Sequence, residues 1–219
     1  MDTLLNAKER LLLIDTCGET AGVALCVGRQ VLAREDLEQG SASAQIVFVV
    51  RRLLAQVNWR LAALDAVGVV SGPGSFTGMR AGLATAKGLC ECLGIPLAAV
   101  SRLEVLADAA TLEDGLVALD AGRGETYVRD VGAGRESLCS IDEMAAMRGG
   151  RPVAVAETRV AERLTECAPA LFPLHVSDAL SVVLRRLRAG GSDVSLVDAN
   201  YVRKESDIYR EPLKPVGAA

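Results

Sequence analysis

The chain has 219 residues, enough for one large domain or two small lobes. Half of the residues are hydrophobic and 24% are charged, which excludes a disordered chain. Aromatics at 3% leave a core of Ala, Val and Leu, with little material for stacking nucleic-acid bases. With 24 basic and 28 acidic residues the net charge is −4, a poor match for a polyphosphate over the whole surface.

The opening residues, MDTLLNAKER, contain no apolar stretch of the kind a secretory signal needs, and no uncharged apolar run reaches the ~18–20 residues of a membrane span. A cytoplasmic protein with no membrane partner is expected. Cys17, Cys26, Cys90, Cys92, Cys139 and Cys167 form no CxxC pair and read as reduced, small apolar fillers. The chain's one histidine, His175, stands in no HxxxH or HExxH pattern, and no GxSxG accompanies it. No metal site is expected, and a hydrolase triad has no support.

The first strand is predicted at Arg10–Asp15 (RLLLID), followed by a hairpin of Ala21–Val27 and Gln30–Asp36 around Gly28-Arg29. Gly40-Ser41-Ala42-Ser43 offers a helix start. Ile46, Val49, Val50, Leu53, Leu54 and Val57 then repeat at helical spacing to about Asn58. A buried strand at Asp65–Val70 leads through Ser71-Gly72-Pro73-Gly74-Ser75 into a helix from about Thr77 to Leu93. Gly94 and Pro96 stop that helix, and Ser75 or Thr77 is its candidate cap. Leu97–Val100 is the fifth strand, and a Ser101/Glu104 capping box opens a helix to about Ala110. The order β-β-β-α-β-α-β-α implies a mixed sheet flanked by helices, as in a ribonuclease-H-like half.

The pattern then restarts. Gly115–Asp120 (GLVALD) ends in Asp like RLLLID, and each is followed by a short gap and Gly-Glu-Thr: Gly18-Glu19-Thr20, then Gly124-Glu125-Thr126. Two related lobes are expected, residues 1–108 and 109–219, the second reduced. After Tyr127-Val128 the strand pattern weakens. Helices are predicted at 141–148, 157–167 and 177–189, a strand at 152–156, and an extended tail from Val194 containing Pro212, Pro215 and Gly217. Asp15 and Asp120 admit two readings, remnants of a nucleotide site or caps of the Gly-Glu-Thr turns. The Gly-rich turn at 71–75 matches neither GxxxxGK[ST] nor GxGxxG. In the following helix Gly78, Gly82 and Ala86 form one row of small residues, and Ala84 and Gly88 another. Such rows either pack on the chain's own sheet or receive another subunit.

Read as whole strings, GPGSFTGMRAGLATAKGL and GIPLAAVSRLEVLA closely resemble the bacterial TsaB family, accessory proteins of tRNA threonylcarbamoyladenosine biosynthesis also catalogued as glycoprotease-like. LLLIDT, LDAGRGETYV and Asn200-Tyr201-Val202-Arg203 resemble the family's opening strand, second-lobe segment and C-terminal signature. The resemblance implies the two-lobed fold of the actin/Hsp70/sugar-kinase superfamily. It also implies a non-catalytic scaffold that pairs with a TsaD-like transferase, is joined by a TsaE-like ATPase, and meets tRNA only through the complex. ATP and metal then belong to the partner subunits and this chain has no cofactor of its own. On this resemblance the partner interface is placed at Gly74, Ser75, Phe76, Thr77, Gly78, Met79, Arg80, Gly82, Leu83, Ala86 and Lys87, and a homodimer is expected when the partner is absent. The alternative is an ATP-binding enzyme of the same superfamily; a peptidase is weaker still. The chain departs from the family at Ala42, where many relatives have histidine, and at Ala199-Asn200, where a proline precedes the tyrosine.

Overall fold

The computed structural model describes residues 8–37, 42–164 and 167–202, and the side chains of all of these except Ala42 and Ser43. The expected helix start at Gly40-Ser41, the side chain of Ala42, and the tail from Arg203 through Pro212, Pro215 and Gly217 lie outside the described residues.

Among the described residues ten strands form two sheets. The first contains β1 (Arg10–Asp15), β2 (Gly22–Val27), β3 (Gln30–Asp36), β4 (Ala66–Val70) and β5 (Leu97–Val100), in the order β3-β2-β1-β4-β5. β1 is antiparallel to β2 and parallel to β4. The second contains β6 (Leu116–Gly122), β7 (Glu125–Asp130), β8 (Arg135–Ser140), β9 (Val153–Val155) and β10 (Ala170–Leu171), in the order β10-β9-β6-β7-β8. β6 is antiparallel to β7 and parallel to β9. Read from the opposite edge, the second sheet repeats the topology of the first, so the Asp-Gly-Glu-Thr similarity reflects one architecture used twice.

Among the described residues six α-helices cover the sheets: α1 (Ala42–Gln56), α2 (Phe76–Leu93), α3 (Arg102–Ala109), α4 (Ile141–Arg148), α5 (Thr158–Arg163) and α6 (Leu180–Arg188). Strand alternation separates the layers. On β1, Ile14 faces α2, whereas Leu13 and Gly68 of β4 face Val183 of α6. On the second sheet, Leu116, Ala118, Val153 and Val155 form a core with α4 and α5, while Val117, Leu119 and Ala154 join the main core. Helices α3 and α6 pack against each other and serve the first and second sheets together.

Caps set the helix ends. The Ser75 hydroxyl accepts from Gly78 N at 3.2 Å, and Gly94 closes α2 in the left-handed region (φ 65°). Ser140 and Glu143 form a full capping box on α4. Four expectations need correction. The Ser101/Glu104 box is half formed: Ser101 caps Leu103 N, but its hydroxyl donates to Glu136, and Glu104 pairs with Arg186. The helix expected at 157–167 is the short α5. That at 177–189 is a 3-10 turn, Val176–Ala179, followed by α6. β8, which the weakened pattern did not suggest, is recruited by the exposed edge of β7 despite its polar sequence RESLCS.

Candidate functional site

Two regions bring the singled-out residues together: the junction of β1 with α2, and the cleft between the two sheets. At the first, α2 lies directly on the turn that follows β1. Ser75 N donates to Cys17 O at 2.8 Å, and the Thr16 hydroxyl donates to Gly78 O at 2.6 Å. A Cβ on Gly78 would overlap the Thr16 carbonyl oxygen, and one on Gly82 the Thr16 hydroxyl. The row Gly78, Gly82, Ala86 therefore exists so that the helix can approach its own sheet. The residues of the expected interface divide by exposure. Gly78, Met79, Gly82, Leu83 and Ala86 are buried within the chain, Ala86 completely. Ser75, Phe76, Thr77 and Arg80 are exposed, and Gly74 and Lys87 are half-buried.

What α2 shows to solvent is its other small-residue row, Ala84 and Gly88, with Phe76 55% exposed. Beside it α1 exposes Val47 (56%) and Phe48 (69%). Sequence reasoning missed these two. The signal was present: they lie off the face traced by Ile46, Val49, Val50, Leu53 and Leu54, all buried.

A C-terminal strap borders the same helix. Ser192 N donates to Leu97 O (2.7 Å), Lys87 Nζ to Val197 O (3.0 Å), and Asn200 N to Ser71 O (2.8 Å). The Asn200 amide donates to Glu136 and Ser101 at 2.8 and 3.3 Å. The strap thus docks through Ala199-Asn200, the asparagine side chain supplying the anchoring bonds.

The cleft is a cavity of about 380 Å³ lined by Cys17, Gly18, Glu19, Gly74, Ser75, Arg102, Asp120, Glu157 and Arg159. Its charges are turned on one another. Arg102 Nη1 and Glu157 Oε1 form a buried pair at 3.0 Å, and Glu157 Oε2 accepts from Asp120 N at 3.2 Å. Arg159 bridges Glu19 and Asp120, both at 3.1 Å, and Arg163 adds a contact to Asp120 at 3.7 Å. The Arg102 guanidinium sits against Gly18, where a side chain would collide with it. Asp15 is 4% exposed and accepts from Cys17 N at 2.8 Å. A magnesium nucleotide, which the superfamily implies, does not fit these residues. Asp15 caps its own turn, Asp120 is held by two arginines, and the backbone of the first Gly-Glu-Thr turn is covered by a guanidinium. Among the described residues no group of three or more His, Cys, Asp or Glu could hold a metal ion. No helix of the described residues is long and apolar enough to cross a membrane.

Burial pushes the Asp15 carboxyl above its ordinary value of 3.8, opposed in part by the Arg102 charge and the Cys17 amide, with Asp178 adding a small upward push. The folded state then binds more protons at this site than the unfolded chain between pH 3.8 and the folded value. Stability from this group is present below that window and lost as pH rises through it. Asp15→Asn, which keeps an acceptor for Cys17 N, is expected to raise the melting temperature at pH 7 and to have no such benefit at pH 3. Thermal melts at the two pH values check this.

The family model described as "TsaD: tRNA N6-adenosine threonylcarbamoyltransferase" matches residues 39–169. The chain is 35% identical over 122 residues to the "tRNA threonylcarbamoyladenosine biosynthesis protein TsaB" of Escherichia coli (strain K12), covering 54% of this chain and 53% of that one. It is 38% identical over 120 residues to the protein of the same name from Bacillus subtilis (strain 168), covering 53% and 52%. The chain thus spans about half the length of these curated relatives. Among solved structures, an uncharacterized protein with similarity to peptidase YEAZ from Pseudomonas aeruginosa superposes with a TM-score of 0.74 at 27% identity, covering 89% of this chain and all of that one. A structure titled YeaZ from the same organism gives 0.72 at 27% identity, covering 88% and 99%.

Proposed function

Because the chain belongs to the tRNA N6-adenosine threonylcarbamoyltransferase (TsaD) family, and within it to the TsaB (YeaZ-like) group, we propose that it is a non-catalytic scaffold subunit. It pairs with a TsaD-like transferase in forming N6-threonylcarbamoyladenosine at position 37 of tRNAs in the cytoplasm. A TsaE-like ATPase joins the assembly, and tRNA is engaged through the complex. The observation that carries this reading is the exposed apolar surface of α1 and α2, with Val47, Phe48 and Phe76 in solvent on paired helices. Leaving such surface in water costs ~25 cal/mol per Å² of apolar area, which association recovers. The proposed interface comprises Ser75, Phe76, Thr77 and Arg80, with Gly74 and Lys87 at its edge and Val47 and Phe48 on α1. In the partner's absence the same face supports a homodimer.

The self-neutralised cleft accompanies this reading: the chain needs no nucleotide or metal of its own. Co-purification of the full chain with the TsaD-like protein of its own cell, followed by a threonylcarbamoylation assay on tRNA, is the test. Modification is expected only when both proteins are present, with no transferase, kinase or peptidase turnover by this chain alone. Full modification without this chain, or magnesium–ATP turnover by this chain alone, would overturn the proposal, the latter in favour of an ATP-using enzyme.

A further inference from the structure

Arg80 is held by two aromatic rings and a tyrosine hydroxyl, whereas Arg52, Arg151 and Arg159 are held by carboxylates. Its guanidinium carbon lies 4.0 Å from the centroid of the Phe76 ring and 5.9 Å from that of Tyr201. Its Nε donates to the Tyr201 hydroxyl at 2.8 Å, and the two rings are 5.8 Å apart. Tyr201 comes from the C-terminal strap, 121 positions away in sequence. The strap is anchored next door by Asn200, whose amide is fixed by Glu136 of β8 and by Ser101 at the start of α3. All three members of the cluster are exposed, Phe76 at 55% and Tyr201 at 39%.

Ordering a long side chain in solvent carries an entropic cost, so a surface arginine fixed by two rings and a hydrogen bond is pre-organised. The bond through Nε leaves the terminal Nη1 and Nη2 as a fork, and among the described residues no carboxylate pairs with it. That fork matches the two oxygens of a carboxylate.

Resting on the scaffold reading above, we propose that Arg80 is the charged anchor of the partner interface, receiving an Asp or Glu side chain of the catalytic subunit, with Tyr201 as its positioning residue. Arginine and tyrosine are enriched among interface hot spots. An RNA occupant is disfavoured for two reasons. The chain carries a net charge of −4, and the Phe76 face on which a base would stack is already covered by the guanidinium.

The test measures affinity of the full chain for the catalytic subunit by titration calorimetry, at low and high salt. Arg80→Ala is expected to weaken binding about a hundredfold and to flatten its salt dependence, with the melting temperature unchanged. Tyr201→Phe keeps the ring, loses the hydroxyl, and is expected to weaken binding several-fold. Arg80→Glu is expected to abolish binding and to be rescued when an acidic residue at the partner's interface is replaced by arginine. A merely structural role would not give that rescue. Arg80→Ala within twofold of the unaltered chain overturns this inference while leaving the scaffold reading standing. So does an Arg80→Ala chain that keeps the catalytic subunit but lowers the assembled complex's affinity for tRNA. If the unaltered chain does not bind the catalytic subunit at all, both fall.

Discussion

Ala86→Arg is expected to prevent folding, and not merely to weaken a partner contact. Ala86 has no exposed surface and sits on the face of α2 that Gly78 and Gly82 bring against β1. Met79, Leu83 and Cys90 occupy the same side. An arginine here would have to displace close-packed side chains, at about 1–3 kcal/mol for even a few added methylenes. It would also bury a charge with no partner, which adds several kcal/mol more. The total approaches the ~5–15 kcal/mol that holds a domain together. Ala84→Arg, two residues earlier on the exposed side, is expected to leave the melt within a few degrees of the unaltered protein. Circular dichroism melts of the two variants check this; a well-folded Ala86→Arg protein would mean that α2 buries a different face.

The second large effect is expected at the cleft. Arg102 and Glu157 have side chains only 6% and 7% exposed, and they join the start of α3 to the residue before α5. Arg102→Ala leaves Glu157 buried with Asp120 N as its remaining hydrogen bond. Removing one member of a buried pair costs ~3–5 kcal/mol, or roughly 10 °C in melting temperature for a chain of this size. The double replacement Arg102→Met, Glu157→Leu removes both charges and is expected to recover most of that loss. Urea denaturation of Arg102→Met, of Glu157→Leu and of the double variant measures the coupling. The exposed Arg159 contacts to Glu19 and Asp120 are expected to matter far less, at about 0–1 kcal/mol for Arg159→Ala. Equal losses in Arg102→Ala and Arg159→Ala would show that the cleft is wetter than its burial indicates.

Much of this organisation was legible in the residues themselves. RLLLID, AVGVV and LVALD are apolar runs too short for helices and bounded by turn residues, and each is a buried strand. Serines before 76, 102 and 141 mark three helix starts, because a hydroxyl that satisfies a free backbone N–H is a local device. The repeat around Asp15 and Asp120 foreshadowed two sheets of one topology. β8 was not legible, since an edge strand's polar side chains carry no period and its pairing is supplied by β7. Nor was the partner of Ser101: Glu104 stands at box spacing, but Glu136, 35 residues away, takes the hydroxyl.

Local residue pattern was enough to specify that α2 is a helix carrying small residues and that a serine-capped turn precedes it. It also placed Asp15 at the end of β1, but β6 runs two residues past Asp120, to Gly122. Which side of α2 faces inward was decided only by tertiary structure. Small residues lie on both sides, Gly78–Gly82–Ala86 and Ala84–Gly88, so local patterning offers two nearly equivalent burials. The Thr16 carbonyl and hydroxyl break the tie, because only the glycine row leaves room for them. The fate of Asp15 and Asp120 was settled in the same way. Asp120 is paired with Arg159 and Arg163, 39 and 43 positions away, while Asp15 is buried and only partly offset by Arg102, 87 positions away; only the folding of the two sheets onto one cleft brings these groups within reach.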